Sequence, residues 1–196
     1  MTQHRSLTIA VALGLTLAAC SSTPQIQRFA PPSFSNEPVL SFNVAKVEVV
    51  SEYRAPADHP NIENEMPVSP ELALRQWAKD RLRAAGGNGT VRLVIHNASA
   101  TETPVAHDQG FSSNFKKQIV AKVDMAVDAT VQILDERQYV VAEVAQHNEI
   151  AQTELEGKTL NERDQLLYDA VVEMTRGFDK QIEPSIRSTL GKSLGS

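Results

Sequence analysis

The chain has 196 residues, 41% of them hydrophobic and 22% charged, and its 19 basic against 24 acidic side chains leave a formal charge of −5. That balance offers no clustered Lys and Arg for a phosphate backbone, which excludes nucleic acid as a partner; pairs such as Lys116-Lys117 read as solvated strand ends. With one cysteine in the whole sequence, no intramolecular disulfide can form.

The chain opens on His4 and Arg5, followed by an uncharged apolar run over 7–19. The run is shorter than the about 20 residues that span a bilayer and fits the apolar core of a secretory signal. It closes on Leu17-Ala18-Ala19-Cys20, with small residues before the cysteine and a large aliphatic residue three positions ahead of it. This segment resembles the lipobox of bacterial lipoproteins. The resemblance implies a signal peptide over 1–19, a diacylglyceryl thioether on Cys20 and an acylated amino group after cleavage. An ordinary signal peptide followed by a buried, inert cysteine is the alternative. Two or three acyl chains, at about 0.8 kcal/mol per buried methylene, exceed what stable anchoring needs. In Gram-negative lipoproteins an Asp after the cysteine favours the inner membrane, so Ser21 implies anchoring in the outer membrane, facing the periplasm.

Residues 20–38 are rich in Pro and Ser, lack periodicity and read as a lipidated tether. Fully extended, the tether reaches roughly 60 Å at about 3.3 Å per residue. A single domain is expected over 39–196. Its first strand is predicted over 39–53, where Leu40, Phe42 and Val44 hold one phase and Val47 and Val49 the other, reconciled by a bulge near Ala45. The proline-rich stretch 54–68 reads as an irregular surface loop. Ser69-Pro70 is a helix start, and Leu74, Trp77, Ala78, Arg81, Leu82 and Ala85 share one side of a helix expected to end at Ala85. Gly86-Gly87-Asn88-Gly89 then stops it. Because this glycine run follows a helix and opens a strand, it is a turn and not a phosphate loop.

Val91, Leu93 and Ile95 alternate in a second strand over 90–98, followed by a polar loop through His107 and Gly110. From 119 to 133 every odd position is apolar while Lys122, Asp124, Asp128, Thr130 and Gln132 take even positions, which predicts a long strand with one buried face. A polar turn at 135–138 leads into a fourth strand over 139–151, with Val140, Ala142 and Val144 on one face. Thr159-Leu160-Asn161-Glu162 is a capping box. Leu167, Ala170, Val171, Met174, Phe178 and Ile182 then form the stripe of a second helix that Pro184 should kink or end, with a weak continuation through Ile186 and Leu190. The expected fold is α+β, in the order β-α-β-β-β-α: a four-stranded mixed sheet with both amphipathic helices on one face and the other face wet.

No constellation of catalytic residues emerges, and the protein is read as a non-enzyme without cofactor. His59, His96, His107 and His147 lie in separate segments without ligand spacing, so no metal site is expected, and His96 and His147 fall on the polar strand faces. Asp124 and Asp128 share a face about 13 Å apart, too far for a shared proton. Trp77 belongs to the core. Phe111 and Phe115 flank a polar stretch and either offer an exposed contact or fold back onto the core.

The lipobox, the order of elements and the amphipathic hairpin around 119–151 together resemble small envelope lipoproteins over about 39–190. That group includes the lipopolysaccharide-assembly lipoproteins of the outer-membrane translocon and the auxiliary lipoproteins of ABC-type transporters. The resemblance implies a non-catalytic accessory of an envelope assembly or transport complex, held to the membrane through Cys20 and bound to an envelope protein partner. It carries over no binding residue. Two other readings follow from the residues: a carrier or sensor that holds a lipid or small molecule between sheet and helices, and a hydrolase using loop residues such as Asp58 or His59.

Overall fold

The computed structural model describes residues 29–106 and 118–195. The chain forms β1 (Leu40–Phe42), β2 (Lys46–Ser51), α1 (Pro70–Arg81), β3 (Leu82–Ala84), β4 (Thr90–Pro104), β5 (Ile119–Leu134), β6 (Val140–Leu155) and α2 (Leu160–Thr189), closed by a short 3-10 turn at Gly191–Ser193. The main sheet has the order β2-β4-β5-β6. β2 and β4 run parallel, while β4–β5 and β5–β6 are antiparallel. The expected mixed sheet with two helices is therefore present.

Its core lies between the helices and the predicted apolar face, where Val91, Leu93, Ile95, Val123, Met125, Val127 and Val131 meet Leu74, Trp77, Leu167, Met174, Phe178 and Ile182. Each fully buried aliphatic or aromatic side chain contributes about 1.5–3 kcal/mol relative to exposure. Trp77 is fully buried and meets Phe178 edge-on, with centroids 5.1 Å apart. Among the described residues, no helix is long and apolar enough to cross a membrane.

Several expected boundaries move. The strand predicted over 39–53 is two strands: β1 pairs in parallel with β3 in a separate two-stranded sheet, and β2 enters the main sheet. The phase switch thus marks a passage between sheets rather than a bulge. It is fixed by main-chain bonds from Asn43 to Ser193 (2.8 Å) and from Ala45 to Gly89 (3.1 Å). For the same reason α1 stops at Arg81 instead of Ala85. Leu82–Ala84 are extended by pairing with Leu40–Phe42, and Leu82 remains buried. The glycine run consequently joins two strands. Gly89 has φ +87°, and a Cβ there would collide with the Leu134 carbonyl oxygen, so only glycine fits this crossing.

β4 runs to Pro104 because a bulge at His96 flips its phase. Ile95 faces the core before it, and Ala98 and Ala100 face the core after it. The predicted surface loop 54–68 is largely packed: Ile62, Met66 and Val68 are buried. Its centre also lies along β4, with Ile62 N donating to Ala100 O (3.0 Å) and Glu102 N to Pro60 O (2.8 Å). α2 continues through Pro184 to Thr189. Ile182 and Ile186 are both fully buried, one on either side of that residue, so core packing holds the helix across a missing N–H.

The part of the expected tether within the described residues, 29–38, packs on the domain. Phe34 is buried, its N–H donates to Asp80 Oδ2 (2.9 Å), and Phe29 meets Tyr168 at 5.0 Å.

Candidate interaction surface

The second face of the sheet carries the polar positions of four strands. Register places Arg92 opposite Gln132, Asn97 opposite Asp128, Ser99 opposite Ala126 and Thr101 opposite Asp124, and β6 adds Glu143, Ala145, His147, Glu149 and Ala151. Long side chains there are tied down in pairs. Arg92 binds Glu48 through two nitrogens (3.1 and 2.9 Å), and Lys122 pairs with Asp124 (2.7 Å). Bonds from Lys46 and then Arg92 hold the Glu48 carboxyl below its ordinary range.

Both histidines expected on polar faces are exposed there, each with a carboxylate. His96 lies between Glu52 (2.7 Å) and Thr130 (3.0 Å). His147 contacts Asp128 (2.6 Å) and Glu149 (3.6 Å). The hydrogen bond to Asp128 is the main force raising the His147 imidazole above its ordinary value, with Glu149 adding to it. Asp124 and Asp128 thus have separate partners, Lys122 and His147. Between the paired rows lies a shallow trough of about 540 Å³, floored by Ser99, Ala126 and Ala151 and edged by Lys122 and Glu149.

The remaining sequence candidates do not converge. His59 pairs with Glu65 (3.2 Å) on the surface, and exposed Asp58 contributes its carbonyl to Asn61 N (3.2 Å). Among the described residues, no group of three or more His, Cys, Asp or Glu gathers as a metal site. Cys20, Ser21, His107, Phe111, Phe115 and Lys116-Lys117 lie outside the described residues.

Two polar clusters escape sequence reasoning. Arg81, fully buried, donates to Asp179 (2.8 Å), to Glu183 and to the Pro38 carbonyl, while Trp77 Nε1 donates to Asp179 (2.7 Å). This network joins α1, α2 and the N-terminal segment. Burial would raise the Glu183 carboxyl, but the bonds and charges of Arg187 and Arg81 prevail and hold it below its ordinary value. In the second cluster, buried Glu63 accepts through Oε1 from Tyr53 (2.6 Å), Asn61 (3.2 Å) and Ala100 N (2.8 Å). Burial, and then Glu63, push the Tyr53 phenol strongly upward. An apolar-looking position for Arg81 on the helix wheel was the one available hint.

A cleft of about 750 Å³ lies between the N-terminal segment and the second half of α2, lined by Phe34, Arg176, Lys180, Glu183 and Arg187.

No protein-family model matches the chain, and no curated protein matches it by sequence. It is similar in structure to a minor lipoprotein from Acinetobacter baumannii, 14% identical with a TM-score of 0.37, covering 71% of this chain and 93% of that one. It is also similar to the rare lipoprotein B from Shewanella oneidensis, 9% identical with a TM-score of 0.37, covering 72% of this chain and 96% of that one.

Proposed function

We propose that the protein is an outer-membrane lipoprotein, anchored through Cys20, that acts without catalysis as an accessory or adaptor of a cell-envelope assembly or transport complex. The observation that carries this reading is the lipobox Leu17-Ala18-Ala19-Cys20 after an uncharged apolar run. The main sheet, with one polar face and an end strand at β6, supplies surface on which a partner can be held.

Two measurements test it on the full chain. Cys20→Ala should move the protein from the membrane to the soluble fraction, and metabolic labelling with palmitate should mark the native chain alone. Affinity purification after mild crosslinking should recover a membrane-complex component. An unlabelled chain, or a protein recovered alone, would overturn the reading. Against the carrier alternative stands the fully buried core that Trp77, Phe178 and Met174 form between the sheet and the helices.

A further inference from the structure

β6 is the end strand of the main sheet, and among the described residues no strand lies beyond it. Its pairing with β5 is regular from Ala142 to Glu154, without a register shift. At about 3.3 Å per residue that is roughly 40 Å of edge. Sheet edges are ordinarily blunted by Pro, Lys, bulges or short length. The sequence of β6, VVAEVAQHNEIAQTEL, contains no Pro, Gly, Lys or Arg.

The direction of the free backbone groups follows from register. Val120 turns its carbonyl to β4, accepting from Val105 N at 2.9 Å, so the odd residues of β5 turn theirs to β6. Those odd residues face even ones on β6, as in Val127 opposite Asn148 and Met125 opposite Ile150. The odd residues Glu143, Ala145, His147, Glu149, Ala151 and Thr153 therefore point N–H and C=O outward. One of these carbonyls, that of His147, already draws a donor from outside the ladder, Gln146 Nε2 at 2.5 Å.

The opposite edge is short. β2 is six residues long, and beyond its end the segment around Asn61 pairs with Thr101 on β4.

What can add to β6 is limited by α2, which lies on the edge strand itself. Asn148 Nδ2 donates to Met174 O (2.7 Å), Gln181 contacts both Asn148 (3.1 Å) and Gln146 (2.7 Å), and a Cβ on Gly177 would come within 2.8 Å of Asn148 Nδ2. Paired strands lie about 4.8 Å apart, whereas packed helices need about 8–10 Å. Edge-to-edge pairing of two copies would drive their α2 helices together. The edge thus excludes its own kind and remains open to a strand that brings no helix on that side. On the polar face β6 carries Glu143 and Glu149 with no basic residue but His147, while Glu154 is already paired with Arg163 (3.2 Å), so the complementary strand is basic.

We infer that the outer edge of β6 is a strand-addition site for an extended, Lys- or Arg-bearing segment of a different envelope protein, which joins the sheet as its fifth strand. The inference rests on the adaptor reading and names its contact surface.

The test uses the full chain in cells, with a photoreactive side chain at Ala145 on the edge, or at Ala126 in the middle of the polar face. Adducts to another protein are expected from Ala145 and should exceed those from Ala126. Ala151→Pro in the Ala145-labelled chain removes one outward N–H without touching the ladder to β5, and Glu149→Lys reverses an edge charge. Each should cut the adduct severalfold while the melting temperature of the purified variant stays near that of the parent. On purified membranes, a peptide alternating lysine with valine should compete, and one alternating glutamate with valine should not.

Adducts only from Ala126, adducts to a second copy or to the chain's own N-terminal segment, or adducts indifferent to Ala151→Pro would overturn the inference and leave the adaptor reading standing. No adduct from any position, together with a protein purified alone, would overturn both.

Discussion

At the scale of single residues, the polar groups behave according to burial. Arg81 and Asp179 are buried together, so each stabilises mainly by satisfying the other. Arg81→Met alone leaves the Asp179 carboxylate without its cation and is expected to cost about 3–5 kcal/mol in chemical denaturation, whereas the double replacement Arg81→Met with Asp179→Leu should recover only part of that loss, because Trp77 Nε1 then lacks its acceptor. His147 behaves differently because it is exposed. Its imidazole is raised above 6.5 by the bond to Asp128. The protonated form is the one the fold favours, so whatever it contributes is complete below 6.5 and fades as pH rises through the raised value. A proton NMR titration should find the His147 midpoint above 6.5, and Asp128→Asn should lower it. The sequence placed His147 and Asp128 on one polar face, since alternation sets facing. Their contact needed the register of β5 on β6, which puts the two directly opposite each other.

At the scale of elements, the strongest periodicities decided most. The alternation over 119–133 became β5, and the capping box at Thr159 opens α2 with its side chain accepting from Glu162 N and the Glu162 carboxylate accepting from Thr159 N. Weaker local signals yielded to tertiary pairing: Leu82 to Ala84 have a helical pattern, yet β1 draws them into a strand. Pro184 is the reverse case, a helix breaker overruled by the buried residues around it. Pro184→Ala should therefore raise stability by about 1–3 kcal/mol, read from the denaturant midpoint at unchanged m-value, because the helix is already built and only a missing hydrogen bond is restored. The inner face of β6 was illegible for another reason. Gln146, Asn148 and Gln152 look solvated by composition, but the first two are hydrogen-bonded partners of α2, where Gly177 lets the helix approach.

At the scale of the whole molecule, the domain includes a segment that composition assigned to a linker. Phe34 is buried and its backbone is held by Asp80, so Phe34→Ala is expected to cost about 3–5 kcal/mol and to open 29–38 to limited proteolysis, where a free tether would show neither effect. Pro and Ser in 29–38 disfavour regular structure, but they do not prevent a single aromatic from docking. The sequence by itself determined the α+β class, the two amphipathic helices, the long antiparallel hairpin and the polar second face, because hydrophobic period and capping act within one element. The second sheet, the bulge at His96, the buried Arg81–Asp179 network and the open edge of β6 were decided by tertiary structure. Each joins residues distant in sequence, and only the packed chain determines which of them meet.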